Sequence, residues 1–468
     1  MKENPIIKIE SMSSTGSAIG HMDKLVVFVE KAVPGDLVKL RIKKKKKNYL
    51  EATMVDLLEP SPARVTPTCS HVGLCGGCKW QHIDYHEQLR YKQQQVTDNL
   101  VKLAKVPIGI IHDIVPSVKQ YYYRNKLEFT FSNKRWLYKE EISSGEAIER
   151  SGLGFHLPGQ FDKVLDVEKC HLQADPSNQI RTLVRKHALE KGLSFYNINT
   201  HEGFLRNLIV RTTMTGEVMV ILQVGYEDSR EIATILDILK ENITPLTSLN
   251  YVVNSKKNDT FHDLTVHTLY GKSFISETFQ RPDNKGVLHF KISPKSFFQT
   301  NSIQAEILYK IAWEFSSLTG NEIVYDLYTG TGTIANYVAG SAKKVIGIEY
   351  VPEAIADAKE NSILNNIHNT AFFAGDLKDV LNDEFVEAHG KPDLIICDPP
   401  RAGMHEEVCH QLLKISPDKI VYISCNPATQ ARDITILASK YEMARAQPVD
   451  MFPHTPHVEN IALLILKK

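Results

Sequence analysis

The sequence predicts an α/β protein in three parts: an N-terminal β-barrel, an α+β middle part and a C-terminal Rossmann-like sheet. Three observations carry this prediction. Short apolar runs separated by turns fill the first sixty residues, strands alternate with helices from about residue 290, and a glycine-rich turn, Gly330-Thr-Gly332, follows the first of those strands. At 468 residues the chain is too long for one ordinary core. Its apolar content of 43% and charged content of 24% are those of a globular protein, which excludes a disordered chain.

In the first part, residues 25–29, 37–40 and 52–57 read as strands, with turn signals at 14–16, Gly20 and Pro34-Gly35. Several short strands between turns suggest a small barrel, of which the oligonucleotide-binding type is one. Pro60, Pro62 and Pro67 mark a linker, so the barrel is expected over 1–60. The middle part is expected over 69–285. Helical periodicity runs through 85–103, and 127–131 and 218–222 read as strands, with a cysteine-bearing loop packed on the edge. The third part is expected over 286–468. Residues 323–327, 344–348, 394–397, 420–423 and 461–466 are short apolar strands, separated by helical stretches such as 355–365. Such alternation implies a mostly parallel sheet covered on both faces.

The chain has no net charge, but residues 39–47 read K-L-R-I-K-K-K-K-K. A block of this kind neutralises phosphates and makes binding salt-dependent, or else is a solvated basic loop. No run of about 18 apolar residues is present, so no transmembrane helix is expected. Residues 1–10 lack the long apolar stretch of a secretory signal, and a cytoplasmic location is expected. Of the seven cysteines, Cys69, Cys75, Cys78 and Cys170 precede residue 171, and Cys397, Cys409 and Cys425 lie near the C-terminus. In a reducing cytosol, clustered cysteines point to metal or catalysis rather than disulfides.

Strand 323–327 runs into Gly330-Thr-Gly332-Thr, where glycines let backbone N–H groups approach a ligand. The next strand ends in Glu349, placed to accept hydrogen bonds from ribose hydroxyls. This much also fits a dinucleotide fingerprint or a structural glycine turn. The following strands decide between them. Gly375-Asp376 can meet an adenine amino group, and Asp398-Pro-Pro-Arg401 places a carboxylate at the cleft of an open α/β sheet. That arrangement resembles methyltransferases that use S-adenosylmethionine.

Strand 420–423 delivers Cys425 at its carboxyl end, within Ser424-Cys425-Asn426-Pro427. A strand-end cysteine is commonly a small buried apolar residue, but this one stands beside the presumed cofactor crevice. Before the last strand lies Asp450-Met-Phe-Pro-His454-Thr-Pro-His457-Val-Glu459. Methylation of uracil at C5 needs a nucleophile to add at C6, a base to remove the C5 proton, and a methyl donor. Cys425 suits the first role and Glu459 the second.

Ser293-Pro-Lys-Ser-Phe-Phe-Gln299-Thr-Asn301, the glycine turn, Asp398-Pro-Pro-Arg401-Ala-Gly403, Ser424-Cys425-Asn-Pro427 and Phe452-Pro-His-Thr-Pro-His-Val-Glu459 together resemble the RNA 5-methyluridine methyltransferase family. The resemblance implies an S-adenosylmethionine-dependent enzyme with Cys425 as nucleophile and Glu459 as proton-abstracting base. It also implies that Gln299, Tyr328, Glu349 and Asp398 contact the cofactor, with Gly330 and Asp376 lining its site. Thr333 departs from the asparagine of some relatives, and Phe297 is placed either to stack on the target base or in the core. Thiolates at Cys69, Cys75, Cys78 and Cys170 suit zinc or a [4Fe–4S] cluster, which spacing does not separate. The four-cysteine pattern is similar to iron–sulfur members of the family, which act mostly on 23S ribosomal RNA, so a [4Fe–4S] cluster is expected ahead of zinc. The N-terminal barrel resembles a TRAM domain. Residues 121–126, Tyr-Tyr-Tyr-Arg-Asn-Lys, mix aromatics with cations, which suits RNA stacking and phosphate contact or, for part of the string, packing within the fold.

The expected reaction therefore gives 5-methyluridine in RNA, 23S rRNA ahead of tRNA, by a monomer without membrane association. The alternatives are a tRNA 5-methyluridine methyltransferase, a non-catalytic RNA-binding assembly factor, and a methyltransferase acting on cytosine C5 or an exocyclic amine.

Overall fold

The structure is a computed structural model that describes residues 4–145 and 147–468. Residues 1–3 of the expected barrel segment lie outside the described residues. Strands β1 (Ile6–Met12), β2 (Ala18–Met22), β3 (Leu25–Glu30), β4 (Leu37–Lys45) and β5 (Tyr49–Glu59) close into a barrel in the order β1-β2-β3-β5-β4. Alternate residues point inward, as a period of two requires: Ile7 and Ile9, Val27 and Val29, Val38 and Leu40, Leu50 and Ala52. Gly20, read as a turn, lies inside β2 instead. A Cβ there would stand 2.7 Å from the Lys8 carbonyl, so the glycine permits close approach of two strands rather than a bend.

Helix α1 (Tyr85–Lys102) starts at Asp84, whose carboxylate accepts the His86 N–H at 2.9 Å. It buries Gln88, Lys92, Val96 and Leu100 at intervals of four, one face of a helix. Although this helix falls in the segment expected for the middle part, Val96 and Leu100 join the core of the C-terminal sheet. The chain then bridges along that sheet, Ile111 to Ala446 and Val115 to Val449.

The middle sheet comprises β6 (Lys126–Ser132), β7 (Gly152–Leu157), β8 (Gln160–Asp166), β9 (Leu205–Thr212), β10 (Val218–Val224), β11 (Ser248–Val253) and β12 (His267–Gly271), ordered β12-β11-β10-β9-β6-β7-β8. A short helix, α2 (Lys139–Ser143), precedes β7. Helices α3 (Ser177–Glu190) and α4 (Ser229–Asn242) pack through Ile180, Val184, Ile235 and Leu239 against one face. Ile209, Met219 and Ile221 on the other face share a core with the C-terminal part. Burial on both faces is why β10 reads as an apolar run from Val218 to Leu222.

A hairpin of β13 (Ile275–Gln280) and β14 (Val287–Ile292) and helix α5 (Ser302–Ser316) lead into the third part. There β15 (Ile323–Leu327), α6 (Thr333–Ala339), β16 (Lys344–Glu349), α7 (Pro352–Leu364), β17 (Thr370–Ala374), α8 (Leu377–Val380), α9 (Asp383–His389), β18 (Leu394–Cys397), α10 (Glu406–Ile415), β19 (Lys419–Ser424), α11 (Pro427–Leu437), β20 (Tyr441–Val449) and β21 (Glu459–Leu466) follow. The sheet order is β17-β16-β15-β18-β19-β21-β20. The first five strands are parallel, and β21 runs antiparallel between β19 and β20. The order reverses between β15 and β18, the point at which open α/β sheets bind ligands. Among the described residues no helix is long and apolar enough to cross a membrane.

Candidate active site

The glycine turn is held from beneath by Asp326, buried at the end of β15. Its carboxylate accepts from the Thr329 hydroxyl and, at 3.0 Å, from the Ala335 N–H, tying the strand end to the first turn of α6. Gly332 has a φ of +72°, and a Cβ there would lie 2.8 Å from the Ala358 side chain. Only glycine allows that backbone and that approach together. Glu349, at the end of β16, accepts the Gly330 N–H at 3.1 Å through Oε2 and the Val351 N–H at 3.1 Å through Oε1. Asp376 caps α8 and pairs with Lys378 at 3.3 Å.

Tyr328, Glu349, Tyr350, Asp376, Leu377 and Met404 are among the residues lining a cavity of about 560 Å³ at the carboxyl end of the sheet. Apolar walls with a few convergent acidic groups suit a nucleoside carrying hydroxyls and an amino group. Of the expected cofactor residues, Tyr328, Glu349 and Asp376 line this cavity, and Gly330 supports it through Glu349. Gln299 and Asp398 are not among its lining residues. The Gln299 carbonyl instead accepts from Asn125 at 2.8 Å.

Asp398 belongs to a second cluster. The register pairs Ser424 of β19 with Asn460 of β21, so the next residues, Cys425 and Glu459, stand side by side at the strand ends. Cys397 of β18 pairs with Tyr422, bringing Asp398 to the same edge. Burial pushes the Asp398 carboxyl up to about 7. Burial, with the Asp398 charge adding to it, pushes Glu459 up to about 8. The Cys425 thiol rises to about 11 through burial and then the charges of Glu459 and Asp398, against an opposing effect of Arg401. Among the described residues neither carboxylate has a hydrogen-bond partner. His454 and His457 are pushed down to about 4, chiefly by burial, and stay neutral at neutral pH.

A second cavity, of about 480 Å³, is lined by all four N-terminal cysteines, with His71, Arg124, Lys126, Lys169 and Thr300 also on its walls. Leu74, Cys75 and Cys78 pack against the middle-sheet core. Cys170 is fixed by Asn178, which accepts its N–H at 2.8 Å and donates to its carbonyl at 3.1 Å. Burial raises all four thiols, Cys75 to about 11 and Cys78 to about 12. Among the described residues no group of three or more histidines, cysteines or carboxylates is placed to hold a metal ion. The thiols are donors of the type an iron–sulfur cluster takes, and the walls beside them carry Arg124, Lys126 and Lys169 together with the Glu128 carboxylate.

The 121–126 string does more packing than display. The Tyr121 ring lies tilted against His454 with centroids 4.5 Å apart, the Tyr123 hydroxyl donates to the Pro453 carbonyl at 3.1 Å, and Arg124 lies over Phe452 at 5.7 Å. Only Tyr122 is substantially exposed among its three tyrosines. Phe297 stands 71% exposed, outside the core. Thr333 is buried at the start of α6, its hydroxyl 3.3 Å from that of Thr331. The sequence reading missed Asp326 and the buried Lys92–Asp450 pair. A lysine in register with Val96 and Leu100 on α1 was the available signal for the latter.

The family model of tRNA (uracil-5-)-methyltransferases matches residues 263–468, and that of the TRAM domain matches 6–55. An uncharacterized RNA methyltransferase of Bacteroides thetaiotaomicron is 54% identical, covering 97% of this chain and 100% of the relative. One of Porphyromonas gingivalis is 50% identical, covering 98% and 99%. The solved structure of Pyrococcus abyssi tRNA (uracil-54, C5)-methyltransferase in complex with S-adenosyl-L-homocysteine has a TM-score of 0.75 at 29% identity, covering 98% of this chain and 99% of that one. The chain belongs to the S-adenosylmethionine-dependent RNA (uracil-5-)-methyltransferase family.

Proposed function

We propose that this enzyme forms 5-methyluridine in 23S rRNA through a covalent adduct between Cys425 and uracil C6, with Glu459 as the base. The observation that carries the reading is the β19–β21 register, which sets Cys425 beside Glu459 at one strand edge. Once ionised, Cys425 adds to C6 and the ring electrons move toward C5. S-adenosylmethionine, when bound, supplies an electrophilic methyl group, and S-adenosylhomocysteine leaves. Glu459 then takes the C5 proton, the C6–S bond breaks, and the thiolate and 5-methyluridine are released. A carboxyl pushed up to about 8 is a stronger base than an exposed one, which suits proton removal from carbon. Tyr328, Glu349, Asp376 and Gly330 are assigned to the nucleoside end of the cofactor, and Gln299 and Asp398 to the end nearer the reacting carbon.

Cys69, Cys75, Cys78 and Cys170 are assigned as ligands of a [4Fe–4S] cluster that shapes the RNA-binding surface. The assignment to 23S rRNA rests on this four-cysteine pattern. A tRNA substrate is the second reading, favoured by the whole-chain likeness to the Pyrococcus abyssi enzyme. Nucleoside mass spectrometry of separated 23S rRNA and tRNA, after incubation with enzyme and labelled S-adenosylmethionine, tests both. Labelled 5-methyluridine is expected in 23S rRNA. Label confined to tRNA overturns the substrate, and label in another nucleoside overturns the roles of Cys425 and Glu459.

A further inference from the structure

The loop 450–458 joins β20 to β21 and ends at Glu459. With no hydrogen bond to its carboxylate among the described residues, Glu459 is aimed by the path of its backbone and by the packing around its buried side chain. That backbone is clamped from outside. Four successive carbonyls each accept from a different part of the chain. Asn301 Nδ2 donates to Met451 at 3.0 Å, Lys92 Nζ to Phe452 at 3.0 Å, the Tyr123 hydroxyl to Pro453 at 3.1 Å, and the Trp80 N–H to His454 at 2.9 Å. His454 itself sits at a φ of +66°, a backbone state that needs such support.

The strongest of these holds is ionic. Lys92 and Asp450 are both fully buried, and Nζ stands 2.6 Å from Oδ1. Asp450 also accepts the Tyr85 hydroxyl at 2.9 Å and the Phe452 N–H at 3.1 Å, and the Tyr85 oxygen accepts the Ser117 N–H at 2.7 Å. A buried pair of this kind is weak evidence for stability, since its desolvation offsets its attraction, but it specifies one geometry. The pair sits at the start of the loop, and Val449, one residue earlier, pairs directly with Glu459.

We propose that Lys92, with Asp450 and Tyr85, is a positioning group for the base: it fixes the loop so that the Glu459 carboxylate reaches the C5 proton. This rests on the reading of Glu459 as the base. Loosening the loop then slows release of the adduct more than its formation. A misplacement of about 1 Å at a reacting group costs on the order of 100-fold in rate.

The test uses the full chain with its RNA substrate and three variants. Tyr85→Phe removes one hydroxyl. Asp450→Asn keeps the shape but not the charge. Lys92→Met/Asp450→Leu replaces the pair by apolar groups of similar size, a change that buried pairs often tolerate. The expected result is a fall in kcat of about 10- to 100-fold for the latter two and a smaller fall for Tyr85→Phe. Denaturant-stable protein–RNA adduct should accumulate above wild type in all three, with RNA KM and cofactor affinity within about 2-fold. Adduct that falls in proportion to kcat, or unchanged kcat in the folded variants, overturns the proposal. If the pair variants do not fold, Tyr85→Phe decides alone by the same adduct readout. Glu459→Gln run in parallel keeps the two readings apart. If it traps no adduct the base assignment fails, and if it traps adduct while the others do not, only the positioning role fails.

Discussion

At the scale of single residues, burial sets the acid–base behaviour of the site. Cys425 and Glu459 must both lose a proton to act, and burial raises both, with Asp398 adding to each. Activity should therefore keep rising with pH through the Glu459 range near 8 and on toward the Cys425 range near 11, rather than level off near the usual carboxylate range. Asp398→Asn removes the neighbouring charge and should move the acid limb of the kcat/KM profile to lower pH even as the maximum rate falls. A limb that stays in place would show that Asp398 does not act on either group. Cys425→Ala should abolish turnover with cofactor binding retained, as read by calorimetry. Glu459→Gln should permit methyl transfer but hold the RNA as a covalent adduct, visible on a denaturing gel. Cys425 and Glu459 stand out as candidates in the sequence because the proposed chemistry requires fixed residue types at a strand end and in one short loop. Asp326 was not legible as a hub, because a strand-end aspartate looks the same in sequence whether it meets a ligand or caps a turn.

At the scale of elements, the C-terminal strands were the clearest. Residues 323–327 and 394–397 are β15 and β18 as expected, since a short apolar run buried on both faces has sharp ends. Helix α1 was also expected within a residue of its observed end, but its docking partner was not. Periodicity shows that a face is apolar, not what covers it. The glycine turn makes its own prediction. Gly332→Ala puts a Cβ 2.8 Å from Ala358 at a left-handed φ, so it should cost about 1–3 kcal/mol of stability and weaken cofactor binding. Chemical denaturation with and without S-adenosylmethionine measures both. The β2 glycine shows the converse, since a residue read as a turn proves to be a strand position where two backbones nearly touch.

At the scale of the whole molecule, a chain of zero net charge must concentrate its cations to grip RNA. The end of β4 and the turn into β5 carry residues 43–47, all lysine and all exposed. Lys43 pairs with Glu30 at 3.1 Å, while Lys44, Lys45, Lys46 and Lys47 have no ion pair among the described residues. Replacing these four by glutamine should weaken RNA binding and flatten its dependence on log salt by about 0.7–0.9 for each phosphate no longer neutralised. Titrations at several salt concentrations check this, and an unchanged slope would mean the lysine run is merely solvated.

The sequence by itself determined the three-part α/β architecture and the glycine turn, and it picked out Cys425, Glu459 and the four N-terminal cysteines as candidates. Each is written in local periodicity or in a motif of a few adjacent residues. Only the tertiary structure decided that Cys425 and Glu459 meet through the antiparallel insertion of β21, and that helix α1 serves the C-terminal sheet. It alone decided that the loop before Glu459 is held by donors from four distant segments. Lys92 and Asp450 stand 358 positions apart. No local pattern links them, because the pairing of buried charges is set by which surfaces the fold brings together.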